Sequence, residues 1–282
     1  MPRQTIINAD DFGLSASENE LILRAFEAGI ISSATAMANM PGFDQACELS
    51  RHPLLEGRIG LHFNLSYGPP LSQAIKSRPI FCNAAGEFDL KLSRYCLRLG
   101  ASDLAAVREE LQAQWQHCLD RGLRPSHLDS HQHVHNIWPV GELVARFAAR
   151  HGVPVRLARN LGANLSVSKR IFKTLLNHRL RRLCGATANY VCTPADLHHA
   201  APPNHGSLEV IVHPLDLDGD FGDASLAPGH SLSQVLYQRL AGVPKVGYGE
   251  NGRRFVLVEV GVSSCQDPPQ SRGEGACSRW GA

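Results

Sequence analysis

Short apolar runs of strand length alternate with longer stretches whose apolar residues recur at helical spacing, as far as about residue 240. Such alternation is the pattern of an α/β protein built on parallel strands. The first run, Thr5-Ile6-Ile7-Asn8-Ala9, breaks off at Asp10-Asp11. Further strands are predicted at 34–39, 58–65, 126–131, 153–157, 189–192 and 208–213, and helices at 43–50, 102–121, 139–151, 166–183 and 232–240. Ser17 followed by Glu20 has capping-box spacing and predicts a helix through Leu21, Ile22, Ala25 and Phe26, stopping near Gly29. Gly122 and Gly152 stand where a glycine would end two of the helices. Some seven strands, mostly separated by helices, predict an α/β fold of the (β/α) barrel type, TIM-barrel-like and distorted or incompletely closed.

Residues 66–100 fit the alternation poorly and contain Gly68-Pro69-Pro70, Pro79 and Gly86. They read as an irregular insertion near the mouth of the barrel. Phe255-Val256-Leu257-Val258-Glu259-Val260 has the composition of a strand, whereas 261–282 carries Gly, Ser, Pro and no periodicity. The expected organisation is one domain over 1–260 followed by an atypical, disordered tail at 261–282.

Composition narrows the functional classes. Twenty-eight basic residues stand against 26 acidic ones, so no electrostatic case exists for nucleic acid or an anionic surface. The basic run Lys169, Arg170, Lys173, Arg179, Arg181, Arg182 reads as a solvated helix face, because Phe172 alone does not supply the aromatic platforms nucleic acid needs. No apolar run reaches the roughly 20 residues of a spanning helix. The eight cysteines are scattered without a CxxC pair and are expected as thiols, and no secretory leader is evident at the N-terminus. These features point to a cytoplasmic protein. One number is anomalous: 14 histidines.

Several of those histidines fall at predicted strand ends. Asn8-Ala9-Asp10-Asp11-Phe12-Gly13 places two carboxylates at the end of the first strand. Strand alternation sends them to different sides, so one is expected to ligate a cation while the other handles a proton. In Gly60-Leu61-His62-Phe63-Asn64-Leu65, His62 and Asn64 share one face. In His127-Leu128-Asp129-Ser130-His131-Gln132-His133-Val134-His135, every odd position is His or Asp. A continuous strand would spread these five groups over about 26 Å at roughly 3.3 Å per residue, too far for one ion. The strand must therefore end within the run, leaving one or two ligands and using the rest to orient them or to touch substrate. Asp129 is suited to accept the second N–H of a ligand histidine. Leu208–Val212 ends in His213-Pro214, again at a strand end, where barrel active sites gather. Asp216, Asp218, Asp220 and Asp223 partly imitate a calcium loop, but Ala227 stands where the bidentate Glu would be, so they read as a solvated loop. Arg156, on the 153–157 strand, needs a carboxylate partner if it faces inward, and Asp10 is the obvious one.

In order and spacing, Asn8–Gly13, Gly60-Leu61-His62, the 127–135 histidine run and His213-Pro214 resemble the YdjC/ChbG-like carbohydrate deacetylase family. The resemblance extends from about residue 5 to about residue 223. It implies a barrel related to polysaccharide deacetylases and divalent-metal-dependent removal of acetyl from N-acetylated sugars. Carried over by motif, it implies Asp11, His62 and His131 as metal ligands, Asp10 as general base and His213 as acid; Arg156, read from the residues as the partner that holds Asp10 ionised and oriented, completes the catalytic group. Asn64, His127, Asp129 and His133 fall to substrate contact or to support of the ligands. A subgroup resembles proteins associated with hopanoid biosynthesis, so the sugar need not be a chitin fragment. The last 50 or so residues depart from the family's usual ending. One divalent ion is expected, Mg or Zn before Mn or Co, with a small-molecule or oligosaccharide substrate, no nucleic acid, no integral membrane segment, and a homodimer as an open option. Two rival functions share these residues: a metal-dependent phosphoesterase on a similar barrel, and a non-catalytic sugar-binding protein.

Overall fold

The computed structural model describes residues 1–162, 166–185 and 187–248. In chain order the elements are β1 (Gln4–Phe12), α1 (Ala16–Glu27), β2 (Ser33–Ala36), α2 (Phe43–Leu49), β3 (Ile59–Phe63), α3 (Gln73–Lys76), α4 (Ala101–Asp120) and β4 (Leu128–Ser130). A 3₁₀ turn follows at His131–Asn136, then α5 (Trp138–Arg150), α6 (Val167–Cys184), β5 (Tyr190–Cys192), α7 (Pro194–His199) and β6 (Ser207–Val212). The last elements are β7 (Pro214–Leu217), β8 (Asp220–Asp223) and α8 (Leu232–Leu240). Six strands form one parallel sheet in the order β4-β3-β2-β1-β6-β5.

The sheet sorts its residues by parity. Ile7, Ala9, Ala34, Ala36, Ile59, Leu61, Phe63, Leu128, Val210 and Val212 join the core that the helices cover. The alternate positions, Asn8, Asp10, Thr35, His62, Asp129 and Glu209, are polar, buried and turned to the other side. Burying those polar groups is tolerable only because they bond to one another, and that network is the site.

Several expectations need correction. The 153–157 segment is not a strand; Val155 makes a single parallel bridge to Leu128. Pro154 has no N–H to continue a ladder, and the chain then swings across to the opposite edge. There the N–H groups of Asn160 and Leu161 both donate to the Val191 carbonyl at 3.2 Å. The sheet is thus a six-stranded half-barrel whose two edge strands are joined by 154–161. The cap of α1 is Ser15, whose hydroxyl accepts from the Glu18 N–H, two residues before the predicted Ser17. Gly122 and Gly152, at φ 81 and 68, do follow the last turns of α4 and α5. The acidic stretch after His213 is an antiparallel hairpin, not a solvated loop. Asp218 and Gly219 both have positive φ, the requirement of a tight two-residue turn. Asp220 accepts from Ser231 and Ser233 at the start of α8, and Asp223 accepts from the His213 backbone N–H at 2.7 Å.

The 66–100 insertion contains only α3 and an isolated bridge between Cys82 and Phe88. It is tied down by Glu110 of α4, which accepts the N–H groups of Leu71 and Ser72, and it reaches the histidine turn where Arg94 donates to the Gln132 carbonyl. The six described cysteines are free thiols, and no helix among the described residues is long and apolar enough to cross a membrane. The predicted 255–260 strand and the 261–282 tail lie outside the described residues.

Candidate active site

Asp11 is the hinge of the site. It sits at φ 69, in the left-handed region, and the pairing of β1 with β2 slips between Ala9 and Phe12. This irregularity breaks the alternation that would send Asp10 and Asp11 to opposite sides. Both carboxylates instead approach the same nitrogen, His62 Nε2, at 3.9 Å from Asp10 and 3.3 Å from Asp11. His131 brings its Nδ1 to 2.8 Å from the same Asp11 Oδ1.

The strand carrying the histidine run ends at Ser130, as its spacing required. Gln132 and His133 then take positive φ values of 46 and 55, which wind the chain into the turn and leave His131 at the mouth. His127 and Asp129 lie deeper in the sheet and are fully buried. Asp129 Oδ1 lies 2.7 Å from His62 Nδ1, so the imidazole is pinned with Nε2 turned toward Asp11. The Thr35 hydroxyl donates to Asp129 Oδ2 at 3.0 Å and braces that carboxylate.

Arg156 is completely buried and makes the contact the sequence suggested. Its fork grips Asp10 through two N–H groups at 2.8 and 2.7 Å. It also meets Asp129 at 2.6 Å and, through Nε, Glu209 at 2.5 Å. Burial pushes the Asp10 carboxyl up, but Arg156 foremost and then His62 hold it well below the usual carboxylate range. Asp11 is held low too, where bonds from His131 and His62 outweigh its burial. For His62, burial is outweighed by Asp129 and Asp10, with bonds from Asp11 and Asp129 adding, and the imidazole is carried up to about 10. Asp10, Asp129 and Glu209 thus surround one guanidinium, with the Asp11 carboxylate close by, and this gathering of carboxylates favours a cation.

His213 stands at the rim, 40% exposed, with Nε2 at 3.9 Å from Asp10 and 4.0 Å from Asp11. His133 has its imidazole pushed down to about 3, chiefly by burial. Asn64 is placed differently. Its side chain holds the next turn, accepting from Ser66 and Tyr67 N–H and donating to Asn39 and the Tyr67 carbonyl. Sequence reading gave no role to Thr35, Glu209 or Tyr248. Glu209 carried a usable signal, since it shares parity with His213 along an otherwise apolar strand.

Gly60 makes room for the buried imidazole. A Cβ there would lie 2.6 Å from the His127 ring and 2.7 Å from its carbonyl. Gly60→Ala is expected to cost about 1–3 kcal/mol by overpacking, read as a fall in thermal midpoint. An unchanged midpoint would refute the tight fit.

Among the described residues, two groups could hold an ion: Asp11, His62 and His131, or Asp10, His62 and Asp129, each with donor atoms within 4.8 Å of one another. The second group has both carboxylates committed to Arg156, so the first is the better candidate. Asp and His donors in this number leave positions open for water and substrate, as catalytic divalent centres do. The site lies at the C-terminal ends of β1, β3, β4 and β6, where α/β proteins of this type carry their catalytic groups.

Fold and site together define an α/β protein with a curled parallel sheet that gathers Asp and His groups at the C-terminal ends of its strands. The chain belongs to the YdjC-like protein family, whose model matches residues 4–230. It is 41% identical over 163 residues to a carbohydrate deacetylase of Geobacillus stearothermophilus, covering 56% of this chain and 61% of that protein, less than two thirds of its length. It is 33% identical over 222 residues to a chitooligosaccharide deacetylase of Salmonella paratyphi B, covering 77% of this chain and 84% of the relative. A solved Enterococcus faecalis V583 structure, provisionally named for cellobiose-phosphate cleavage, superposes with a TM-score of 0.64 at 21% identity, over 89% of this chain and 99% of its own. That likeness concerns the fold alone.

Proposed function

We propose that this protein is a divalent-metal-dependent hydrolase that removes the acetyl group from an N-acetylated sugar, a chito-oligosaccharide or related glycoconjugate. The observation that carries the reading is the pairing of a clamped carboxylate with a cation-ready cluster: Asp10 held by Arg156, beside Asp11, His62 and His131. Relatives named carbohydrate deacetylase and chitooligosaccharide deacetylase support a hydrolase of linear amide C–N bonds.

Asp11, His62 and His131 would hold the ion. When bound, a divalent ion supplies Lewis acidity toward a carbonyl oxygen and lowers the pKa of water toward neutrality. Asp10 takes the proton of the attacking water, since Arg156 keeps it ionised and turned toward the cluster. Asp129 and Thr35 keep the His62 ring in place. His213, at the rim near Asp10, delivers a proton to the departing amine, so that acetate and a free amino sugar leave. His127 supports Asp10 from below through Asn8, whose Nδ2 donates to Asp10 Oδ1 at 3.0 Å.

The deciding experiment is acetate release from N-acetylglucosamine oligomers with and without chelator. Chelation is expected to abolish release and added divalent ion to restore it. His62→Ala and His131→Ala are expected to lose both bound ion and activity. Full ion content and activity in either variant would refute the assigned ligands. Release of phosphate from phosphoesters, with no acetate release, would refute the deacetylase reading.

A further inference from the structure

A closed circuit of side chains runs beneath the reactive groups and through Asp10 and Arg156, and two of its members, Glu209 and Tyr248, have no part in the proposed reaction. The Tyr248 hydroxyl donates to Glu209 Oε2. Glu209 Oε1 accepts from Arg156 Nε at 2.5 Å, and the far edge of Arg156 grips Asp10. Asp10 Oδ1 also accepts from Asn8, and Asn8 Oδ1 lies 3.1 Å from His127 Nε2. The His127 ring in turn stacks on Tyr248, with centroids 3.7 Å apart and planes 12° from parallel. The circuit therefore runs from Tyr248 to Asp10 along two routes and returns to its starting ring.

Proton bookkeeping fixes the direction of each bond. Asn8 gives its N–H to Asp10, so its carbonyl oxygen must accept, and His127 carries its proton on Nε2. Burial and then Arg156 hold His127 far below its ordinary value, which keeps it neutral. Its Nδ1 is left to accept from the Ser126 hydroxyl at 3.0 Å. Arginine holds a carboxylate by a planar fork, so rotation of the guanidinium weakens both bonds to Asp10 together. Asp10 and Asp129 both lie at the Nη end of the guanidinium, Asp129 at 2.6 Å from Nη1, and neither holds Nε. Glu209 lies at the other end, and Tyr248 fixes the Glu209 carboxylate by occupying its second oxygen.

We propose that Glu209 and Tyr248 are positioning residues that lock the Arg156 fork and thereby aim Asp10. This rests on the proposed function for its catalytic consequence, whereas the lock itself can be measured without turnover. In ¹⁵N-labelled wild-type protein the Arg156 Nε–H is expected to exchange slowly with water, being bonded to a buried carboxylate. Tyr248→Phe keeps the ring stack and removes only the hydroxyl; Glu209→Gln keeps the volume and removes the charge. Both are expected to speed that exchange and to lower kcat about 10-fold, with KM and affinity for the divalent ion nearly unchanged. In an Arg156→Lys background the fork is gone, so Tyr248→Phe should lower kcat no further.

Unchanged Nε–H exchange in both variants would overturn the lock. So would a kcat loss from Tyr248→Phe that is equally large in the Arg156→Lys background, which is the mark of a merely structural residue. Wild-type protein that releases no acetate would defeat the deacetylase reading, and the exchange measurement would still decide the lock.

Discussion

Asp10→Asn is expected to lower turnover by about 10²–10⁴-fold, the range lost with a general base, while the protein still binds a divalent ion. The substitution keeps the shape of the side chain and removes its capacity to take a proton. Arg156 retains Asp129 and Glu209 as partners, so the variant should fold. Asp11, His62 and His131 are untouched, so ion binding measured by calorimetry should persist. The two readouts together separate a base from a ligand. Loss of both would move Asp10 into the ion-binding set, and retention of full turnover would remove it from the reaction.

Arg156→Met is expected to give the largest stability effect, about 3–5 kcal/mol in urea unfolding, the range for breaking a buried ion pair by removing one partner. Methionine fills much of the volume but leaves Asp10, Asp129 and Glu209 buried without their common cation. The exposed Arg24–Asp216 pair at 2.7 Å provides the contrast. There Arg24→Ala should cost below about 1 kcal/mol, because water replaces most of what is lost. A small effect at Arg156 would mean that the three carboxylates are neutralised some other way.

The chain disclosed its strand ends well because each of β1, β3, β4 and β6 has, within two residues of its C-terminal end, a residue that does not belong in an apolar run: Asp10, His62, Asp129 and His213. Asp129 was legible as the acceptor for a ligand histidine, which the structure identifies as His62, and the charge of Arg156 named Asp10 as its partner. What was illegible depended on conformations that residue type does not announce. Asp11 looked like a normal strand residue pointing away from Asp10, and only its left-handed backbone brings the two together. The 153–157 run has strand composition but lacks the Pro154 donor, and it makes one bridge where a strand was expected. The hairpin was signalled by Asp218-Gly219, but four aspartates in eight positions masked it as a loop. Tyr248 carried no local signal, since its partners His127 and Glu209 lie 121 and 39 positions away in sequence.

The 154–161 crossing also bears on how copies of the protein meet. A parallel sheet that stops short of closure leaves two rows of unpaired backbone groups, each a template for another strand. Here the Leu128 N–H and carbonyl are taken by Pro154 and Arg156, and the Val191 carbonyl by Asn160 and Leu161. The Asn160 side chain takes the Val191 N–H at 2.8 Å. One irregular segment occupies backbone groups on both edges at once, the kind of cover that discourages edge-to-edge pairing without a full set of strands.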